Sequence, residues 1–127
     1  MKVTVIRDVL EANERVAAEN RAAFERHGVR VINLMSAPGA GKTTLLERTV
    51  KALGEELRIG VVEGDIATAM DAERIEAAGA AAVQINTDGA CHLDANMIAA
   101  ATSELDIDNL DLLIIENVGN LVCPSGF

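Results

Sequence analysis

The chain has 127 residues, half of them hydrophobic, with a net charge of −9 and only two aromatics, Phe24 and Phe127. That length suits one domain with a real core, and the composition excludes a disordered chain. The acidic balance opposes binding to phosphate backbones or anionic membranes, and the scarcity of aromatics opposes base stacking, so neither nucleic acid nor a membrane is expected as a partner.

Asp8 followed by Glu11 reads as a capping box that opens a long helix to about His27, closed by Gly28. Its apolar stripe runs Val9, Val16 and Ala23, with Leu10, Ala17 and Phe24 beside it, and Asn13 and Asn20 fall on the same stripe. The pattern fits a peripheral helical segment, residues 1–28, packed on the domain. The alternative is a helix that pairs with a partner chain, its Asn residues setting register. Val31 to Met35 then reads as a buried strand and Ser36 to Gly41 as a small-residue turn. Thr43 to about Leu53 reads as a helix, with Leu45, Leu46, Val50 and Leu53 toward a sheet and Gly54 at its end.

Arg58 to Glu63 is a second buried strand, followed by Gly64-Asp65-Ile66. Asp71 is placed to cap a short helix, Ala72 to Ala78, stopped by Gly79. Ala81 to Asn86 is a third strand, and Thr87 to His92 is a loop leading into a helix with Leu93, Met97, Ala100, Ala101 and Leu105 inward. Leu110 to Ile115 is a fourth strand, ending in Glu116-Asn-Val-Gly119. Strands alternating with helices imply right-handed crossovers and a mostly parallel sheet covered on both faces, an α/β three-layer sandwich. Leu121 to Phe127 brings no further helix where such a sheet normally continues, so residues 29–127 read as the N-terminal part of a P-loop domain, incomplete at its C-terminal end.

The chemistry starts in the first turn. Strand, glycine-containing turn and helix in that order are the setting that gives a P-loop pattern structural meaning. Gly39 and Gly41 let the chain curl with N–H groups turned toward phosphate oxygens, and Pro38, Ala40 and Thr44 complete the cradle. The new helix adds its positive end. Lys42 reaches the β- and γ-phosphates and the Thr43 hydroxyl ligates Mg²⁺, so a nucleoside triphosphate is the expected ligand. Ser36 stands where the motif has Gly, at a strand end that tolerates it.

Ligands in such sheets sit at the C-terminal ends of the strands. Asp65 emerges there after the second strand, placed for the Mg²⁺ shell or for orienting an attacking water. Glu116 emerges after the fourth, placed for Mg²⁺-bound water or for nucleotide sensing through Gly119. The plain alternatives are a loop cap for Asp65 and a solvated strand end for Glu116. Cys91, His92 and Cys123 form a second constellation whose thiolates and imidazole suit Ni²⁺ or Zn²⁺ better than Mg²⁺. Spacing alone leaves open two buried, inert cysteines. With two cysteines and an N-terminus too short for a signal-peptide core, a reducing cytoplasm is the expected compartment.

Asn33-Leu-Met-Ser-Ala-Pro-Gly-Ala-Gly-Lys-Thr-Thr-Leu-Leu46, Glu63-Gly-Asp65, Asp71-Ala-Glu-Arg74, Gln84-Ile-Asn-Thr87, Cys91-His-Leu-Asp-Ala95 and Ile115-Glu-Asn-Val-Gly-Asn-Leu-Val-Cys-Pro124 together resemble the hydrogenase nickel-incorporation GTPases, the HypB family. The resemblance covers the chain from about Asn13 onward. It implies a GTPase of the SIMIBI type that hydrolyses GTP with Mg²⁺, forms a GTP-dependent homodimer, and works with nickel-delivery proteins on a hydrogenase large-subunit precursor. It also implies that Cys91, His92 and Cys123 bind Ni²⁺ or Zn²⁺ at the dimer interface, and Ser36 matches the family's own P-loop. The urease accessory GTPases are the nearest relatives, but their Cys-Pro-His motif does not occur here. Neither a Cys-rich nor a His-rich N-terminal nickel site is present, and the Asn-Lys-x-Asp element that reads guanine is not within these residues, so guanine specificity comes from the resemblance alone. Three other readings stand beside it: a urease-type nickel accessory GTPase, a metal-binding dimerisation module with incidental hydrolysis, and a small-molecule kinase, for which no Arg-rich lid follows the fourth strand.

Overall fold

The computed structural model describes residues 2–34, 42–64, 69–85 and 93–116. The elements are α1 (Lys2–His27), β1 (Arg30–Leu34), α2 (Lys42–Leu53), β2 (Ile59–Glu63), α3 (Ala69–Ala78), β3 (Ala81–Gln84), α4 (Ala95–Glu104), a 3-10 turn at Ile107–Asn109 and β4 (Leu112–Glu116). All strand pairs are parallel, in the order β1-β4-β2-β3.

Alternation along the strands sorts their side chains into two cores. Val62, Leu113 and Ile115 meet Phe24 and Val29 beside Ile98, Ala101 and Leu105, so α1 and α4 cover one face. Ile59, Val61, Leu112 and Ile114 meet Leu46, Val50 and Ile75, so α2 and α3 cover the other. The central strands β2 and β4 are buried at every residue, as a parallel sheet covered on both sides requires.

Two helices end as the glycines predict. Gly28, at φ 68°, lets its N–H donate to the Glu25 carbonyl and the Val29 N–H to the Phe24 carbonyl, while Val29 and Phe24 both join the core. Gly79, at φ 116°, repeats the arrangement with Glu76 and Ile75. The starts differ from the sequence reading. α1 begins at Lys2 and α3 at Ala69, so Asp8 and Asp71 lie inside helices and do not cap them. No Gly or Pro precedes either residue within its helix, so nothing in the chain stops the helix from extending backward.

Burial also departs from expectation in three places. β1 is not a buried strand: it lies at the edge of the sheet that the described residues form, and Ile32 is 46 % exposed. On α2, Leu45 is 54 % exposed while Leu46 and Val50 carry the contact. On α4, Ile98 and Ala95 are buried and Ala100 is exposed.

Charge pairs tie the layers from outside. The Arg58 backbone N–H donates to Asp111 Oδ2 at 2.8 Å, and its Nε and Nη2 donate to the same carboxylate at 3.3 Å each. The guanidinium holds the Asp111 carboxyl below its ordinary value. Glu47 of α2 accepts from Lys51 one turn on and from Arg74 of α3, and these bonds lower its pKa in the same sense. Arg74, part of the Asp71-Ala-Glu-Arg74 stretch, is therefore a helix-to-helix tie. His27 at the end of α1 pairs with Asp108 in the 3-10 turn. Among the described residues no helix is long and apolar enough to cross a membrane.

Candidate functional site

The C-terminal ends of β2 and β4 carry two carboxyl groups side by side. Glu63 and Glu116 are register partners, and they are 0 % and 1 % exposed. Strand alternation puts Glu63 on the side of Ile59 and Val61, and Glu116 on the side of Leu112 and Ile114, which is the face covered by α2 and α3. β1 ends in register with Glu116, and the next described element, α2, begins at Lys42. A twelve-residue helix offers unpaired N–H groups and a partial positive charge there, which suits a phosphate. Carboxylate oxygens such as those of Glu63 and Glu116 are donors that a hard divalent cation such as Mg²⁺ takes. Glu116 is therefore not a solvated strand end.

Backbone hydrogen bonds carry the sheet one step beyond its last side chains. The Gly64 N–H donates to the Glu116 carbonyl and the Ile85 N–H to the Glu63 carbonyl, both at 2.7 Å. Gly64 is buried, and Leu93, wholly buried, lies directly on it: a Cβ at Gly64 would stand 2.5 Å from Leu93 Cδ1. The strand end that leads to Asp65 thus touches the residue that follows Cys91-His92. Asp94 then caps α4, its Oδ1 accepting the Met97 N–H at 2.8 Å.

Of the residues singled out from the sequence, the structure describes Glu116 at the end of β4, buried, and the exposed Thr44 in the first turn of α2. The side chains of Lys42 and Thr43 lie outside the described residues, as do Pro38, Gly39, Ala40, Gly41, Asp65, Cys91, His92, Gly119 and Cys123. Among the described residues no group of three His, Cys, Asp or Glu side chains is placed to hold a metal ion. Sequence reasoning passed over Glu63 as a site residue, although its signal matches that of Glu116: an acid ending an otherwise apolar buried strand. It also missed the glycine-to-leucine contact, which only tertiary packing reveals.

Comparisons with known proteins point to one family. The family model described as CobW/HypB/UreG, nucleotide-binding domain, matches residues 30–127. The hydrogenase maturation factor HypB of Rhizobium leguminosarum bv. viciae is 52 % identical over 125 residues, covering 98 % of this chain and 42 % of its own length. Among solved structures, the hydrogenase maturation factor HypB of Archaeoglobus fulgidus superposes with a TM-score of 0.82 at 44 % identity, over 90 % of this chain and 55 % of that one. HypB of Helicobacter pylori in complex with nickel gives 0.80 at 46 % identity, over 89 % and 54 %. The chain thus spans about half or less of each of these relatives.

Proposed function

The chain belongs to the CobW/HypB/UreG family of nucleotide-binding domains, and on that footing we propose that it is the nucleotide- and metal-handling part of a nickel metallochaperone that hydrolyses GTP to assist nickel insertion into [NiFe]-hydrogenase. One observation carries the reading: a P-loop and the Cys91, His92 and Cys123 set occur together in a chain about half identical, over nearly its whole length, to a hydrogenase maturation factor. A HypB structure in complex with nickel supports the choice of cargo.

In this reading residues 29–127 form the nucleotide-binding part and residues 1–28 a helical segment attached to it. The N–H groups of Pro38 to Thr44 (proline excepted) hold the phosphates and Lys42 balances the β- and γ-phosphate charge; Thr43 with Asp65 would hold Mg²⁺, which when bound would supply charge neutralisation at the phosphates. Glu116, buried on the α2 face with Glu63 beside it, would orient a water there. Gly119 reads the γ-phosphate by its backbone. Cys91, His92 and Cys123 hold Ni²⁺, or Zn²⁺ in its place, and a GTP-dependent homodimer completes the site across its axis. The partners are nickel-delivery proteins and the hydrogenase precursor, met in the cytoplasm.

The test of the enzymatic half is phosphate release from GTP with no acceptor present. The parent sustains turnover and Lys42→Ala loses it by about 10²-fold or more, the scale for one charge-stabilising donor. GDP formed only when an acceptor substrate is added, with the phosphoryl group on that acceptor and no free phosphate released, would instead make the protein a kinase. Full nickel delivery by Lys42→Ala would make hydrolysis incidental to a metal-binding module.

A further inference from the structure

One helix takes both backbone groups of a single residue in another. Asn13 and Asn20 stand two turns apart on the same face of α1. The Ala95 N–H donates to Asn13 Oδ1 at 2.9 Å, and Asn20 Nδ2 donates to the Ala95 carbonyl at 3.0 Å. These partners fix both amides, since an N–H can only donate and a carbonyl can only accept. Ala95 is the first residue of α4 and is wholly buried. Its N–H is among those that no carbonyl within the helix can reach, so Asn13 supplies what the helix lacks. Asn20 is itself only 7 % exposed, on a stripe whose neighbours Ala17 and Phe24 are apolar.

Apolar packing alone would hold α1 on the sheet, and burying an amide costs stability unless its hydrogen bonds are made. What two amides add, and leucines could not, is a fixed position for one backbone unit. That unit lies three residues after His92 and four after Cys91. Leu93, between them, is seated on Gly64. Three residues of chain extend at most about 10 Å, so whatever holds Ala95 limits where the Cys91-His92 pair can stand.

We propose that Asn13 and Asn20 are positioning residues for the Cys91-His92 metal ligands, acting through the clamp they form on Ala95. The proposal rests on the metal-site reading above. It assigns α1 a role in metal affinity although none of its residues is a ligand.

The experiment titrates Ni²⁺ into the protein and records the thiolate-to-nickel charge-transfer absorption, with thermal unfolding and GTP affinity measured in parallel. Asn13→Asp keeps an acceptor for the Ala95 N–H and retains the parent's spectrum and affinity. Asn20→Asp sets a carboxylate against the Ala95 carbonyl; it and Asn13→Leu shift the band and weaken nickel by about 10–100-fold, the scale for losing the support of a metal ligand. GTP affinity stays at the parent's value. Asn20→Leu removes the donor without adding charge and guards against misfolding of the Asp variant. Folded Asn13→Leu and Asn20→Leu proteins with the parent's spectrum and affinity overturn the positioning role. A parent whose nickel binding ignores Cys91→Ala overturns the metal-site reading and the positioning role with it.

Discussion

Gly64→Ala is the substitution that asks most of the structure. A Cβ built there lies 2.5, 2.6 and 2.7 Å from Leu93 Cδ1, Cδ2 and Cγ, all closer than carbon atoms approach one another. Leu93 is wholly buried in the cluster with Ile98, Ala101 and Leu113, so it cannot turn aside without displacing them. Overpacking of this kind costs about 1–3 kcal/mol, which lowers Tm by roughly 3–6 °C per kcal/mol in a domain of this size. Gly60→Ala is the matched control on the same strand: its Cβ would meet Leu110 Cδ1 at 2.7 Å, while the next atom lies at 3.4 Å. Gly60 is nearer the start of β2 and leads to no site residue. Both variants melt earlier than the parent, Gly64→Ala by more. Only Gly64→Ala is expected also to change the ratio of nickel affinities between the GTP and GDP states, because Leu93 directly follows Cys91-His92 in the chain. Thermal unfolding with nickel titration in each nucleotide state reads both effects. A Gly64→Ala protein that melts early yet keeps the parent's affinity ratio would refute the contact as the link between the two sites.

Two further outcomes follow from the carboxylates. Glu116→Gln lowers GTP turnover by about 10²-fold without lowering Tm, since it removes one of two acids held side by side in the sheet; a fall in Tm with unchanged turnover would assign Glu116 to the fold alone. Arg58 holds the Asp111 carboxyl below its ordinary value, so the stability it adds is complete above that value and is lost as pH falls through the lowered one. Asp111→Asn therefore lowers Tm at neutral pH and flattens the acid limb of a Tm-against-pH curve; parallel curves for parent and variant would contradict the pairing.

What the sequence disclosed and what it hid divide along a physical line. Helix ends at Gly28 and Gly79 are legible because a left-handed residue is a local requirement that glycine meets. Helix starts are not, because an acid such as Asp8 or Asp71 serves as a cap or sits within a helix according to what precedes it. The parallel sheet follows from the alternation of elements. The exposure of β1 does not, because strand order is settled by crossovers and not by the strand's own residues. Glu116 was readable as an acid closing an apolar run, and Glu63 carried the same mark unread. Asn13 and Asn20 showed on the α1 stripe as polar exceptions, but their partner lies 82 and 75 residues away in the chain, beyond any local pattern.

If a GTP-dependent homodimer completes the site of Cys91, His92 and Cys123, as proposed above, the bound nucleotide sets the nickel affinity there. The most direct test is nickel affinity measured with a non-hydrolysable GTP analogue and with GDP, in the parent and in Cys91→Ala and Cys123→Ala. The expected affinities differ between the two states by about tenfold, a coupling of about 1.4 kcal/mol, and that difference is lost in both variants. Equal affinity in the two states, or nickel binding that survives both substitutions, would contradict it.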